Sequence, residues 1–221
     1  RDPRAIFVSG VEHWRQHYPD ADTPAFPLQI MHRTHTDMEK LTALGDIDIR
    51  ALRLEDLGTE TIVQKVCAWL GVSYGPTMKE STWGGLRWWG DKISSNHATN
   101  EEKGFSPSVI KNNWQRKLSF LDIAIFDRLM GPGMVAYGYD HVQRTSSFAD
   151  GVTWLAIWIP GTYERKHLTP LYLFSKLARG QIKDVLRAFY HPLRRVRFQH
   201  HVLKQVRRQE LKFPERFVDA K

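Results

Sequence analysis

An α/β fold is what this 221-residue sequence predicts, and three observations carry the expectation. The order helix, helix, strand, helix is readable over residues 1–71. Within it "IDIRALRLEDL" alternates apolar and polar residues with the period of a strand, between segments with the period of a helix. A composition 42% hydrophobic and 25% charged supports a buried core of ordinary size.

Asp2 followed by Pro3 starts the first helix, because the carboxylate can cap free N–H groups and proline in the first turn gives up nothing. It should run to about His17, where "YPDADTPAFP" breaks it. Leu28, Met31, Met38, Leu41 and Leu44 make one face of a second helix, with Gly45 as its stop. The strand around Ile47, Ile49 and Ala51 leads into "GTETIVQKVCAWLG", a helix with Ile62, Val66, Trp69 and Leu70 inward, closed by Gly71. Residues 72–118 lack sustained periodicity and hold four tryptophans; a stretch that long is usually functional or poorly ordered. Ser119 with Asp122 resembles a capping box for a helix with Leu121, Ile125 and Leu129 on one face, interrupted or ended at Gly131-Pro132-Gly133. "QRTSSFADG" reads as a linker, dividing residues 1–143 from a basic, aromatic and mainly helical extension over 144–221.

One cysteine, Cys67, excludes an internal disulfide framework, fits a reducing, cytoplasmic compartment, and suits core packing better than reactivity. The longest apolar run, "WLAIWI", is far short of the ~20 residues of a spanning helix. The formal charge of +8 is uneven: residues 161–221 carry 15 Lys+Arg against 5 Asp+Glu, a net +10, and the remainder carries 17 against 19, a net −2.

Arg1 precedes the first helix and Ser9 stands two turns beyond Asp2, so one anion is within reach of both. A guanidinium gives paired charge-assisted hydrogen bonds to a phosphate and a hydroxyl adds a neutral donor. The alternative is that Arg1 and Arg4 are solvated charges at a helix start. The company of this block matters. "RDPRAIFVS", then "LRLEDL" before a helix ending "WLGV", then Trp114 ahead of "KLS", together resemble the carboxyl-terminal half of the sulfotransferases that use 3'-phosphoadenosine 5'-phosphosulfate.

The resemblance covers residues 1 to about 140 and implies a partial three-layer parallel sheet of the P-loop-related type. It places the 3'-phosphate contacts on Arg1 and Ser9 and points to the "SVIKNNWQRK" region, with Lys111, Arg116 and Lys117, as basic groups closing over the nucleotide. Neither a "SGTT"-type phosphosulfate loop nor a "GxxxxGK" motif is present, and the family's general base lies upstream of the first block. The expectation is therefore a carboxyl-terminal portion, inactive alone, with no catalytic residue of its own. Glu55 and Asp56 read as structural acids at the start of a helix.

In the tryptophan-rich loop, Trp83, Trp88 and Trp89 can stack on a sugar or line an apolar cleft, with Asp91, Lys92 and Asn96 orienting polar groups of a small-molecule, glycan or lipid-like acceptor. They equally suit capping a core beneath the loop. His13 with His17 and His32 with His35 have ligand spacing without a third ligand, and no metal is expected. The tail, over residues 151–212, suits an anionic membrane surface or an acidic polysaccharide, which would make the protein peripheral to a membrane; a solvated basic face is the plainer alternative. Nucleic acid is not favoured, since charge is the only signal for it.

Overall fold

The computed structural model describes residues 1–17, 25–40, 48–79, 82–83, 86–87, 114–139, 147–208 and 213–217. The chain divides into two compact units, one made of residue 1 with 47–112 and 214–221, the other of 2–46 with 113–213. The boundary at 143/144 falls inside the second.

In the first unit, strand β1 (Arg50–Ala51) pairs in parallel with β4 (Glu215–Arg216), and the Arg50 guanidinium binds Glu215. Ile47 lies outside the described residues; of the expected strand's described residues only Arg50 and Ala51 pair, and their partner comes from the far end of a tail expected to be mostly helical. Strands β2 (Thr82–Trp83) and β3 (Leu86–Arg87) form a short antiparallel pair. These pairs are the only sheet among the described residues. The α/β label thus holds only for a small parallel pair in a mainly helical chain. A three-layer sheet is not among the described residues.

Helix α3 (Glu60–Leu70) ends at Gly71, whose φ of 69° turns the chain left-handed while the Val72 N–H donates to the Cys67 carbonyl at 2.9 Å. Its buried face is Ile62, Val63 and Cys67, whereas Trp69 and Leu70, expected inward, are 41% and 58% exposed. Trp69 is drawn outward by a partner: its Nε1 donates to Asp48 at 2.8 Å, and its ring meets Phe217 edge-on. Asp56 does not cap α3; its carboxylate accepts from Arg53 Nε and Nη2 at 2.7 and 2.5 Å.

The second unit is helical: α1 (Pro3–His17), α2 (Ala25–Lys40), α4 (Trp114–Lys117), α5 (Phe120–Ala136), α6 (Ser147–Ala156), α7 (Pro170–Ala178) and α8 (Ile182–Arg207). Its core joins Phe7, Val8 and Val11 of α1 with Met31 of α2, Phe126, Leu129 and Met134 of α5, and Val202 and Leu203 of α8. Of the face expected on α2, Leu28 and Met31 are buried; Leu41, Leu44 and Gly45 lie outside the described residues.

The capping box at α5 forms as expected, the Ser119 side chain accepting from the Asp122 N–H and the Asp122 side chain from the Ser119 N–H. Pro132 does not stop the helix, which continues to Ala136. Proline forfeits one backbone bond, but Gly131, Gly133 and Met134 around it are buried, and packing holds the last turn. The supposed linker is likewise helical from Ser147 onward, as the start of α6.

Candidate functional site

The block that opens the sequence becomes the first turn of α1, where Asp2 and Arg4 lock together. The Asp2 carboxylate accepts from the Arg4 backbone N–H at 2.8 Å and from its Nε and Nη2 at 3.0 and 2.8 Å. Arg4 Nη1 reaches Asp127 on α5 at 2.8 Å, and its guanidinium lies 3.9 Å from the centre of the Trp114 ring. Asp2 and Arg4 are 2% and 3% exposed. A planar cation forked between two carboxylates and stacked on an indole is chemistry that arginine supplies and lysine does not. The reading of Arg4 as a solvated charge is corrected: it is buried and fully engaged in joining α1, α4 and α5.

Trp114 and Arg4 are 110 positions apart, and with them the first and third sequence blocks meet in space. A second contact repeats the junction at the surface, where Lys117 Nζ lies 3.0 Å from Glu12 of α1. Ser9 is exposed and stands one helical turn before Glu12, so Ser9 and Lys117 come to one flank of α1. Arg116 is exposed on α4. Arg1 is half-buried and belongs to the other unit. Lys111, Trp88, Trp89, Asp91 and Lys92 lie outside the described residues, and of Trp83 only the backbone, in β2, is described.

This flank carries a hydroxyl and an ammonium as donors, with the Glu12 carboxylate beside the ammonium as an acceptor. Exposed ion pairs of this kind hold weakly, so a dianion can displace the carboxylate from Lys117.

Beyond Glu12 the surface turns more basic and more buried. Tyr163 donates to Glu12 at 3.3 Å, and burial, then that carboxylate, pushes its phenol well above the ordinary range. Arg15 stacks 4.6 Å from the Tyr163 ring centre and donates to its carbonyl at 3.1 Å. Burial, then the charge of Arg15, lowers Lys166 to about 8. His167, 2% exposed, is lowered to about 4 by burial and then by Lys166, Arg15 and Lys176, and so is neutral at neutral pH. No group of three His, Cys, Asp or Glu side chains that could hold a metal lies among the described residues.

No family model, no curated protein and no solved structure matches this chain. Function must therefore be read from the residues themselves.

Sequence reasoning missed Asp127, Glu12 and the contact of Tyr163 with Glu12. Asp127 left a signal, being a lone acid inside the apolar run "IAIFDRLM", where an unpaired carboxylate would be costly to bury. Glu12 and Tyr163 left none, because their meeting depends on how a distant turn packs on α1.

Proposed function

We propose that this chain carries the donor-gripping half of a sulfotransferase, which moves a sulfuryl group from 3'-phosphoadenosine 5'-phosphosulfate to a hydroxyl or amine of a small-molecule, glycan or lipid-like acceptor. The observation that carries the reading is the meeting of the first and third blocks through Arg4, Trp114 and Asp127. In the resemblance those two blocks serve one nucleotide, and their union here supports that common role.

On this reading the resemblance assigns the 3'-phosphate to Arg1 and Ser9 and the basic cover to Arg116, Lys117 and Lys111. The buried Arg4 is a positioning residue that sets the first turn of α1. Sulfuryl transfer also requires in-line placement of donor and acceptor and a base for the acceptor proton. None of the residues named here supplies that base. The partial P-loop-type sheet belongs to the same proposal, with the parallel β1–β4 pair as its support.

The test is a calorimetric titration of the full-length protein with adenosine 3',5'-bisphosphate and, in parallel, with adenosine 5'-monophosphate. Binding should require the 3'-phosphate, and Arg1→Ala or Ser9→Ala should weaken it, the former by about 2–4 kcal/mol. Equal affinity for the two nucleotides, or variants that bind like the wild type, would reject the assignment.

A further inference from the structure

Helix α8 presents three parallel strips along its 26 residues. The buried strip, with Ala188, Val196, Gln199, Val202 and Leu203, builds the core. Adjoining it around the helix, Ile182, Leu186, Phe189 and Leu193 recur at intervals of four, three and four residues, which aligns them on one face. They are 60%, 64%, 53% and 57% exposed. This second face thus stays more than half exposed although its residues are apolar.

The line continues past the end of the aliphatic run. His200 is seven residues beyond Leu193, on the same face, and the rings of Trp154 and Trp158 lie 5.2 and 6.2 Å from its imidazole. Both tryptophans are about half exposed. From Ile182 to His200 the apolar and aromatic strip spans roughly 27 Å at 1.5 Å per residue. The adjoining α7, which reaches α8 through the left-handed Gly180, also leaves Leu171 and Phe174 81% and 71% exposed.

Beside the apolar strip runs a basic one: Lys183, Arg187, Arg194, Arg197 and Lys204, all exposed, follow the same four-and-three spacing one step around the helix. Tyr190 stands within the basic strip, with the Arg194 guanidinium 5.7 Å from its ring centre. In the whole helix seven Lys and Arg face a single acid, Asp184, which is shared between Lys176 and Arg187.

The geometry points to an anionic phospholipid surface as the partner of this face, with α8 lying in the plane of the headgroups. The apolar strip enters the acyl boundary, Trp154, Trp158 and Tyr190 sit at the interface, and the basic strip meets lipid phosphates and serine carboxylates. Charge complementarity selects this occupant. A nucleic acid or a sulfated glycan would use the basic strip and leave the aliphatic strip in water, and a neutral protein groove would leave the cations unanswered. The helix is not a spanning one; among the described residues no helix is long and apolar enough to cross a membrane. This inference stands apart from the proposed activity and survives its failure.

The experiment is co-sedimentation of the full chain with phosphatidylcholine vesicles and with phosphatidylcholine–phosphatidylserine vesicles at about 7:3. Expected is binding to the anionic vesicles alone, weakened by raised salt. Leu186→Ser/Phe189→Ser and Arg194→Glu/Arg197→Glu should each lower it roughly tenfold or more, the first by loss of insertion and the second by loss of charge. All four positions are exposed, and circular dichroism checks that both variants keep their helices. Three results would overturn the inference: no binding to anionic vesicles, unchanged binding by the serine variant, or a dimer in light scattering that the serine variant dissolves while vesicles are ignored.

Discussion

Arg4→Ala removes the cation that joins Asp2 to Asp127, and its cost follows from what remains. Arg4 gives three side-chain hydrogen bonds to the two carboxylates, at 2.8 to 3.0 Å, and its removal leaves acids that are 2% and 9% exposed. Breaking a buried ion pair from one side costs about 3–5 kcal/mol, because the surviving charge has neither water nor partner. Two buried carboxylates losing one shared cation push the figure toward the upper end, while the Arg4 backbone N–H, which alanine keeps on Asp2, limits it, as does protonation at about 1.4 kcal/mol for each pKa unit an acid must climb. Loss of the stacking on Trp114 adds roughly 0.5–2 kcal/mol. Against a total stability on the order of 5–15 kcal/mol this is a large fraction. Urea denaturation followed by circular dichroism would measure it. Arg4→Lys should retain part of the stability, and the triple variant Arg4→Met/Asp2→Asn/Asp127→Asn should lose less than Arg4→Ala alone. A loss below about 1 kcal/mol in Arg4→Ala would refute the reasoning, since buried carboxylates deprived of a shared cation cannot be that cheap.

Gly161→Ala should lower the melting temperature, because an added Cβ would come within 2.9 Å of Asp122 Oδ1, the carboxylate that caps α5 and also binds Thr162; a loss of about 1–2 kcal/mol is expected, as for removal of a cap. Arg195→Met should cost about 3–5 kcal/mol, since Arg195 donates to buried Glu164 at 2.8 Å, to the Ile157 carbonyl at 2.8 Å and to Gln199 at 2.6 Å. Burial holds Glu164 above the ordinary carboxylate value, with Arg195 opposing it. The folded chain therefore keeps that proton to higher pH than the unfolded chain, and the linked stability is present at acid pH and lost as pH rises through the raised value. Denaturation at a series of pH values should show this loss reaching to higher pH in Arg195→Met, where the opposing charge is gone. His167 works in the reverse sense: its stability is present above about 6.5 and is lost as pH falls toward about 4, a slope that His167→Gln should abolish.

Local signals read well wherever one helix end or one face decides the matter. Asp2-Pro3 starts α1, Ser119 and Asp122 cap α5, and Gly71 closes α3 because only its left-handed backbone ends the helix there. Leu28 and Met31 on α2, and Ile125 and Leu129 on α5, turn inward as their spacing requires. Periodicity failed on α3, where it cannot tell which of two adjacent apolar faces will meet the core, and at Pro132, where packing outweighs one lost hydrogen bond. In the candidate site, Ser9 and Lys117 were legible as donors, whereas Glu12, the carboxylate beside both, was not.

What the sequence by itself determined are properties of short range: helix starts and stops, the basic bias of the tail, the three blocks and their order. Each depends on groups within a few residues of one another, or on composition alone. Only the tertiary structure decided that Arg4 is buried between two acids, that β1 takes its partner from residues 215–216, and that α8 turns one apolar strip inward and leaves the other outside. These depend on contacts across scores of residues, where many pairings are chemically acceptable and the packing of the core selects among them.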